Sequence, residues 1–102
     1  MEKQKIIISL REHAPTLRRL GLKSLALFGS FARGDAGQDS DIDLLYEFEE
    51  GQATLDHYLE LQDLLERLFR RKVELVPRKY VSAGFQRYIA DDVEPVYPAE
   101  GG

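Results

Sequence analysis

Residues 25–45 read LALFGSFARGDAGQDSDIDLL, and the rest of the chain reads as support for them. An apolar run, Leu25 to Phe28, stops at Gly29-Ser30. A glycine-bounded segment, Phe31 to Gly37, follows, and Asp41-Ile42-Asp43 then opens a second apolar run at Leu44. The first run is short, apolar on both faces and ended by glycine, which predicts a buried strand. Asp41 to Tyr46 predicts another. Side chains alternate across a strand, so Asp41 and Asp43 share one face while Ile42 and Leu44 share the other. Neighbouring carboxylates repel, and a hard divalent cation with a preference for oxygen ligands offsets that repulsion. The Gly29-Ser30 turn suits a phosphate, because glycine admits close backbone approach, amides at a helix start point outward, and the serine hydroxyl adds a donor. A Gly-Ser turn alone is commonplace, and so is a lone Asp-x-Asp at a solvated strand start. Their succession on adjoining strands predicts a nucleotide–metal site.

Outward from this stretch, the elements follow from periodicity and punctuation. Ile6, Leu10 and Ala14 recur four residues apart, with Ile7 alongside, so residues 2–13 predict an amphipathic helix. Pro15 disfavours helix at Ala14 and can open a second short helix that ends near Leu20, with Gly21 as the left-handed stop. His13 reads as a surface residue before that break. The first strand spans about Ser24 to Phe28, and Ser30 to Arg33 forms a short helix. Arg33 has two equally open roles, pairing with a phosphate or bracing Asp35 or a motif carboxylate. Ser40 is placed to bond a backbone group or help orient the metal-binding loop. Glu47 shares a strand face with Asp43 but lies far from the expected metal centre.

Thr54 suits an N-cap for the longest helix, residues 54–70. Its expected core stripe is Leu55, Tyr58, Leu59, Leu65, Leu68 and Phe69, helped by Leu61 or Leu64. Asp63–Arg67 and Glu66–Arg70 are i,i+4 pairs, and His57 reads as exposed. Val73-Glu74-Leu75-Val76 predicts a third strand with Glu74 on the face opposite Val73 and Leu75. Exposure on an open sheet face accounts for that charge, as does a third acid of the site. Arg70-Arg71-Lys72 and Arg78-Lys79 flank the strand, either as a solvated helix end or as an edge for phosphates or an acidic partner. Residues 81–90 suggest a last helix. Pro95 and Pro98 are expected to end regular structure, and Gly101-Gly102 to fray.

The chain has 102 residues and 43% hydrophobic composition, which predicts one domain, residues 1–102, with a core of its own. It has no cysteine, which excludes disulfides, thiolate metal sites and cysteine nucleophiles and fits a cytoplasmic location. No apolar run approaches the ~20 residues of a membrane span, so no membrane partner is expected. The net charge of −4 argues against a nucleic-acid partner, though a local metal can still recruit a nucleotide.

GSFARGD followed by SDIDLL resembles the signature of the minimal nucleotidyltransferases, the smallest members of the DNA polymerase β-like superfamily, at Gly29, Ser30, Arg33, Gly34, Ser40, Asp41 and Asp43. The resemblance spans most of the chain. It implies an α/β fold, a small mixed β-sheet with helices packed mainly on one face. It also implies Mg²⁺-dependent transfer of a nucleoside monophosphate, AMP from ATP by family habit, to an acceptor hydroxyl. Asp41 and Asp43 would hold two Mg²⁺ ions, Glu74 would complete the site and take the acceptor proton, and Gly29, Ser30, Arg33 and Ser40 would serve the nucleotide. The family usually carries aspartate where this chain has Glu74, one methylene longer. So short a chain has little surface for an acceptor pocket, so a second chain would supply it, either another copy or a protein acceptor. The resemblance implies a HEPN-domain toxin whose tyrosine is AMPylated, with this chain as antitoxin. The alternative is a catalytically degenerate domain that neutralises its partner by binding alone.

Overall fold

The computed structural model of the chain describes residues 1–80 and 92–99. Within them, helices α1 (Lys3–Glu12) and α2 (Ala14–Arg19) precede strand β1 (Leu22–Phe28). A four-residue helix α3 (Ser30–Arg33), strand β2 (Ile42–Phe48), helix α4 (Leu55–Phe69), strand β3 (Val73–Pro77), a single 3₁₀ turn and strand β4 (Glu94–Tyr97) follow. The sheet order is β3-β2-β1-β4, with β2–β3 parallel and the other two pairings antiparallel, so the sheet is mixed as expected.

Register sorts the strand residues by face. Leu25 and Leu27 stand beside Tyr46 and Leu44, and Leu44 and Ile42 stand beside Leu75 and Val73. This face meets Ile6, Ile7 and Leu10 of α1, Leu17 of α2, Phe31 of α3 and Leu61, Leu65 and Phe69 of α4 in one buried cluster. The four α-helices among the described residues therefore cover one side of the sheet. The opposite face carries a smaller apolar row, Ala26, Phe28 and Leu45, with Val76 and Val93 against it. Just beyond that row lie Asp43 and Glu74.

Local signals place most ends. His13 closes α1 and precedes α2, its Nδ1 2.8 Å from the Ser9 carbonyl, so it is half-buried and engaged rather than a free surface residue. Thr54 caps α4 by accepting the His57 amide at 3.1 Å. His57 is not exposed either: its ring stacks on Phe48 and its Nδ1 lies 2.8 Å from the Gln52 carbonyl.

Three further expectations need correction. Leu55 and Leu59 do not join the core stripe, being 71% and 52% exposed, while Leu61 and Leu65 are fully buried. The fifteen-residue helix meets the sheet along a narrower line than its leucine content suggests, and periodicity alone cannot show which leucines fall off that line. The Asp63–Arg67 pair forms at 2.9 Å. In place of the Glu66–Arg70 pair, however, Glu66 accepts the Val73 amide, and Arg70 takes a left-handed conformation (φ 52°) that ends the helix. Finally, Pro95 lies inside β4, opposite Ala26. Among the described residues β4 is an edge strand, where a missing backbone donor can face away from the ladder. The expected helix over 81–90 and the chain end at Gly101-Gly102 lie outside the described residues.

Candidate active site

The sheet topology brings the two halves of the motif together. Because β1 and β2 are antiparallel, the end of β1 meets the start of β2, and Phe28 pairs with Asp43. On the other side, parallel pairing sets Asp43 beside Glu74. Both carboxylates stand on the face away from the helical layer, Asp43 half-buried and Glu74 exposed. Asp41 is half-buried one residue before β2 begins.

Gly29 occupies a backbone conformation (φ 78°, ψ −154°) that side-chain-bearing residues avoid. A Cβ there would approach Asp43 Cγ to 3.0 Å and its Oδ2 more closely still. Glycine is thus required twice over, for the turn and for the carboxylate packed on it. The turn launches α3, whose N-terminus receives no side-chain cap and begins with Ser30. At the other end of α3, Gly34 is left-handed, and the amides of Gly34 and Asp35 both donate to the Ser30 carbonyl.

Arg33 braces acids in this structure. Its Nε donates to Asp35 Oδ2 at 3.2 Å, and its Nη1 lies 3.7 Å from Asp92 Oδ2. Asp92 is a member of this neighbourhood that the sequence pattern does not reveal, since it lies 59 positions away in a stretch with no motif. Ser40 accepts the Gly37 amide through its hydroxyl at 2.8 Å, closing the loop ahead of Asp41. Glu47 pairs with Lys23 and accepts from Ser24, two steps further along the open face.

The electrostatics of the carboxylates are unfavourable as they stand. Burial raises Asp43 first; a hydrogen bond and repulsion from Glu74, then repulsion from Asp41, raise it further, while Arg33 opposes them. The net effect moves it from 3.8 to about 6. Among the described residues no three acidic, histidine or cysteine side chains form a ready-made metal cage. The acids that do meet are hard oxygen donors with surplus negative charge, so the donor set suits a divalent cation that draws them in. A cavity of about 350 Å³ lies at the opposite end of β2, bounded by Tyr46, Phe48, Tyr58, Pro77 and Arg78. It is remote from Asp43 and Glu74, which pair at the other end of the strand.

A mixed sheet that sets a Gly-Ser turn against paired carboxylates defines the class of polymerase β-like nucleotidyltransferases. The nucleotidyltransferase-domain family model matches residues 10–94, and the chain belongs to that family. The protein adenylyltransferase MntA of Thermococcus cleftensis is 36% identical over 85 residues, 82% of this chain and 85% of that protein. A Methanocaldococcus jannaschii protein provisionally named a protein adenylyltransferase is 42% identical over 74 residues, 71% of this chain and 74% of its own length. A solved structure provisionally described as a minimal nucleotidyltransferase superposes with a TM-score of 0.73 at 32% identity, covering 94% of this chain and 95% of that one. The fold is shared more distantly, at 22% identity and a TM-score of 0.55 over 95% and 70% of the two chains, with a structure described as a tri-AMPylated Shewanella oneidensis HEPN toxin in complex with MNT antitoxin. The chain is thus an enzyme of the minimal nucleotidyltransferase type. No helix among the described residues is long and apolar enough to cross a membrane.

Proposed function

We propose that this chain transfers the adenylyl group of ATP to a hydroxyl on a protein acceptor, a tyrosine of a HEPN-domain toxin, and acts as its antitoxin. The observation that carries the reading is the packing of Gly29 against Asp43, with Glu74 in register beside it. It sets the Gly29-Ser30 turn against the carboxylates, which supports a phosphate at the turn with a cation beside it. The MntA relative supports the adenylyl group and the protein acceptor, and the HEPN–MNT complex with the same fold supports the partner.

In this reading Asp41, Asp43 and Glu74 hold Mg²⁺, which when bound neutralises triphosphate charge and favours the ionised acceptor hydroxyl. Gly29 admits the phosphates to the backbone, and Ser30 offers them its hydroxyl. Arg33, exposed and joined to Asp35 and Asp92 by screened ion pairs, is free to exchange those partners for a phosphate. The acceptor oxygen attacks the α-phosphorus, the bond to the bridging oxygen breaks, and pyrophosphate leaves. Glu74 stands at the exposed edge of the carboxylate group, where an acceptor arrives, and takes the hydroxyl proton. Its extra methylene is accommodated by solvent rather than by packing.

The test is transfer of label from α-labelled ATP to a HEPN-domain partner in the presence of Mg²⁺. Labelled partner that disappears with Asp41→Ala and Asp43→Ala is the expected result. Full neutralisation of the toxin by Asp43→Ala in cells would instead favour the binding-only alternative.

A further inference from the structure

We infer that Arg71 is a positioning residue for the active site: it locks the Asp41 loop to the helix that follows the Gly-Ser turn. The inference rests on the nucleotide–metal reading proposed above and adds a residue from outside both halves of the motif. Arg71 lies in the turn between α4 and β3, where a run of basic residues would ordinarily be a solvated helix end. Its side chain instead runs inward, half-buried. Nη1 donates to the carbonyls of Gln38 and Ser40 at 2.8 and 2.7 Å. The guanidinium carbon lies 5.1 Å from the centre of the Phe31 ring. Phe31 is buried in α3, next to Ser30.

The loop ahead of β2 and helix α3 therefore converge on one cation carried by the α4–β3 turn. The Ser40 carbonyl belongs to the peptide bond that leads into Asp41, so the bond from Arg71 fixes the backbone immediately before that carboxylate. The next fixed point is the Ile42 amide, which donates to the Lys72 carbonyl at 3.0 Å. Asp41 is held between these two anchors, both supplied by consecutive residues of the α4–β3 turn. A bare carboxylate facing Asp43 would be repelled, and a loop free to move would carry it away. Charged donors to carbonyl oxygen give the stronger class of hydrogen bond. The planar guanidinium also stacks on Phe31 while bonding at its edge, a combination that lysine cannot match. Partners behind a metal ligand typically change metal affinity by about 10–100-fold when removed.

The experiment measures the affinity of a non-hydrolysable ATP analogue with Mg²⁺ and with EDTA, in wild type, Arg71→Ala, Arg71→Lys, Asp41→Asn and the Asp41→Asn/Arg71→Ala double variant. Wild type is expected to bind more tightly with Mg²⁺ than with EDTA. Arg71→Ala is expected to lose about tenfold of that gain while its affinity in EDTA is unchanged. Arg71→Lys should recover part of the loss, and Arg71→Ala should cost nothing further once Asp41 is already Asn. General loosening of the fold would lower both affinities together and add to the Asp41→Asn loss, and either result overturns the inference. So does a normal Mg²⁺ gain in Arg71→Ala. If Arg71→Ala does not fold, Arg71→Lys carries the decision: a Mg²⁺ gain equal to wild type overturns the inference. A wild type with no Mg²⁺ gain would instead reject the nucleotide–metal reading itself, which separates the two failures.

Discussion

Asp43→Asn should make the metal-free protein more stable at neutral pH while removing its activity. The carboxyl of Asp43 is raised from 3.8 to about 6, first by burial and then by Glu74 and Asp41. A carboxyl that holds its proton more tightly when folded stabilises the fold fully below about 4. That contribution is lost as pH climbs through about 6 and is absent above it. Two units correspond to an upper bound of about 3 kcal/mol. Asp43 is only half-buried, so solvent screening reduces this to about 1 kcal/mol. Asparagine has no proton to lose, and its amide can donate to Glu74. In EDTA at pH 7.5 the variant should therefore melt about 4 °C or more above wild type, and the gap should close at pH 4. Adding Mg²⁺ should raise the wild-type melting point and leave that of Asp43→Asn unmoved. Circular dichroism melts at the two pH values, with and without Mg²⁺, check all of this. A variant less stable than wild type in EDTA at pH 7.5, or one with the same pH trend as wild type, would refute the reasoning that burial and the neighbouring acids disfavour the ionised Asp43.

Other consequences follow from the same geometry. Mg²⁺ affinity by calorimetry should be flat above pH 7 and weaken about tenfold per unit below pH 6, because the cation must displace the Asp43 proton. Gly29→Ala should cost about 2 kcal/mol or more in urea denaturation, from its backbone conformation and the Asp43 contact; in an Asp43→Ala background the cost should shrink. Leu65→Ala, at a fully buried position, should cost about 2–5 kcal/mol, whereas Leu59→Ser should stay within about 0.5 kcal/mol by the same measurement.

The sequence by itself determined β1, β2 and β3 and the residue types at their ends. Leu25 to Phe28 is too short for a buried helix and apolar on both faces, which favours a buried strand, and glycine after it allows the sharp turn at φ 78°. Ionised Asp41 and Asp43 are costly to bury fully, and Ile42 and Leu44 between and after them alternate onto the core face. These are local constraints, written in adjacent residues, so they survive without knowledge of the fold. Tertiary structure decided what depends on distant segments meeting. It chose Leu61 and Leu65 over Leu55 and Leu59, because the line of contact between α4 and the sheet depends on how the helix docks. It placed Pro95 in a strand, because β4 lies at an edge of the sheet among the described residues. It brought Asp92 to Arg33, and it turned Arg71 from an apparent surface charge into a strut between α3 and the Asp41 loop. Charge and hydrogen-bonding capacity are properties of a residue, but what they act on is fixed only when the chain has folded back on itself.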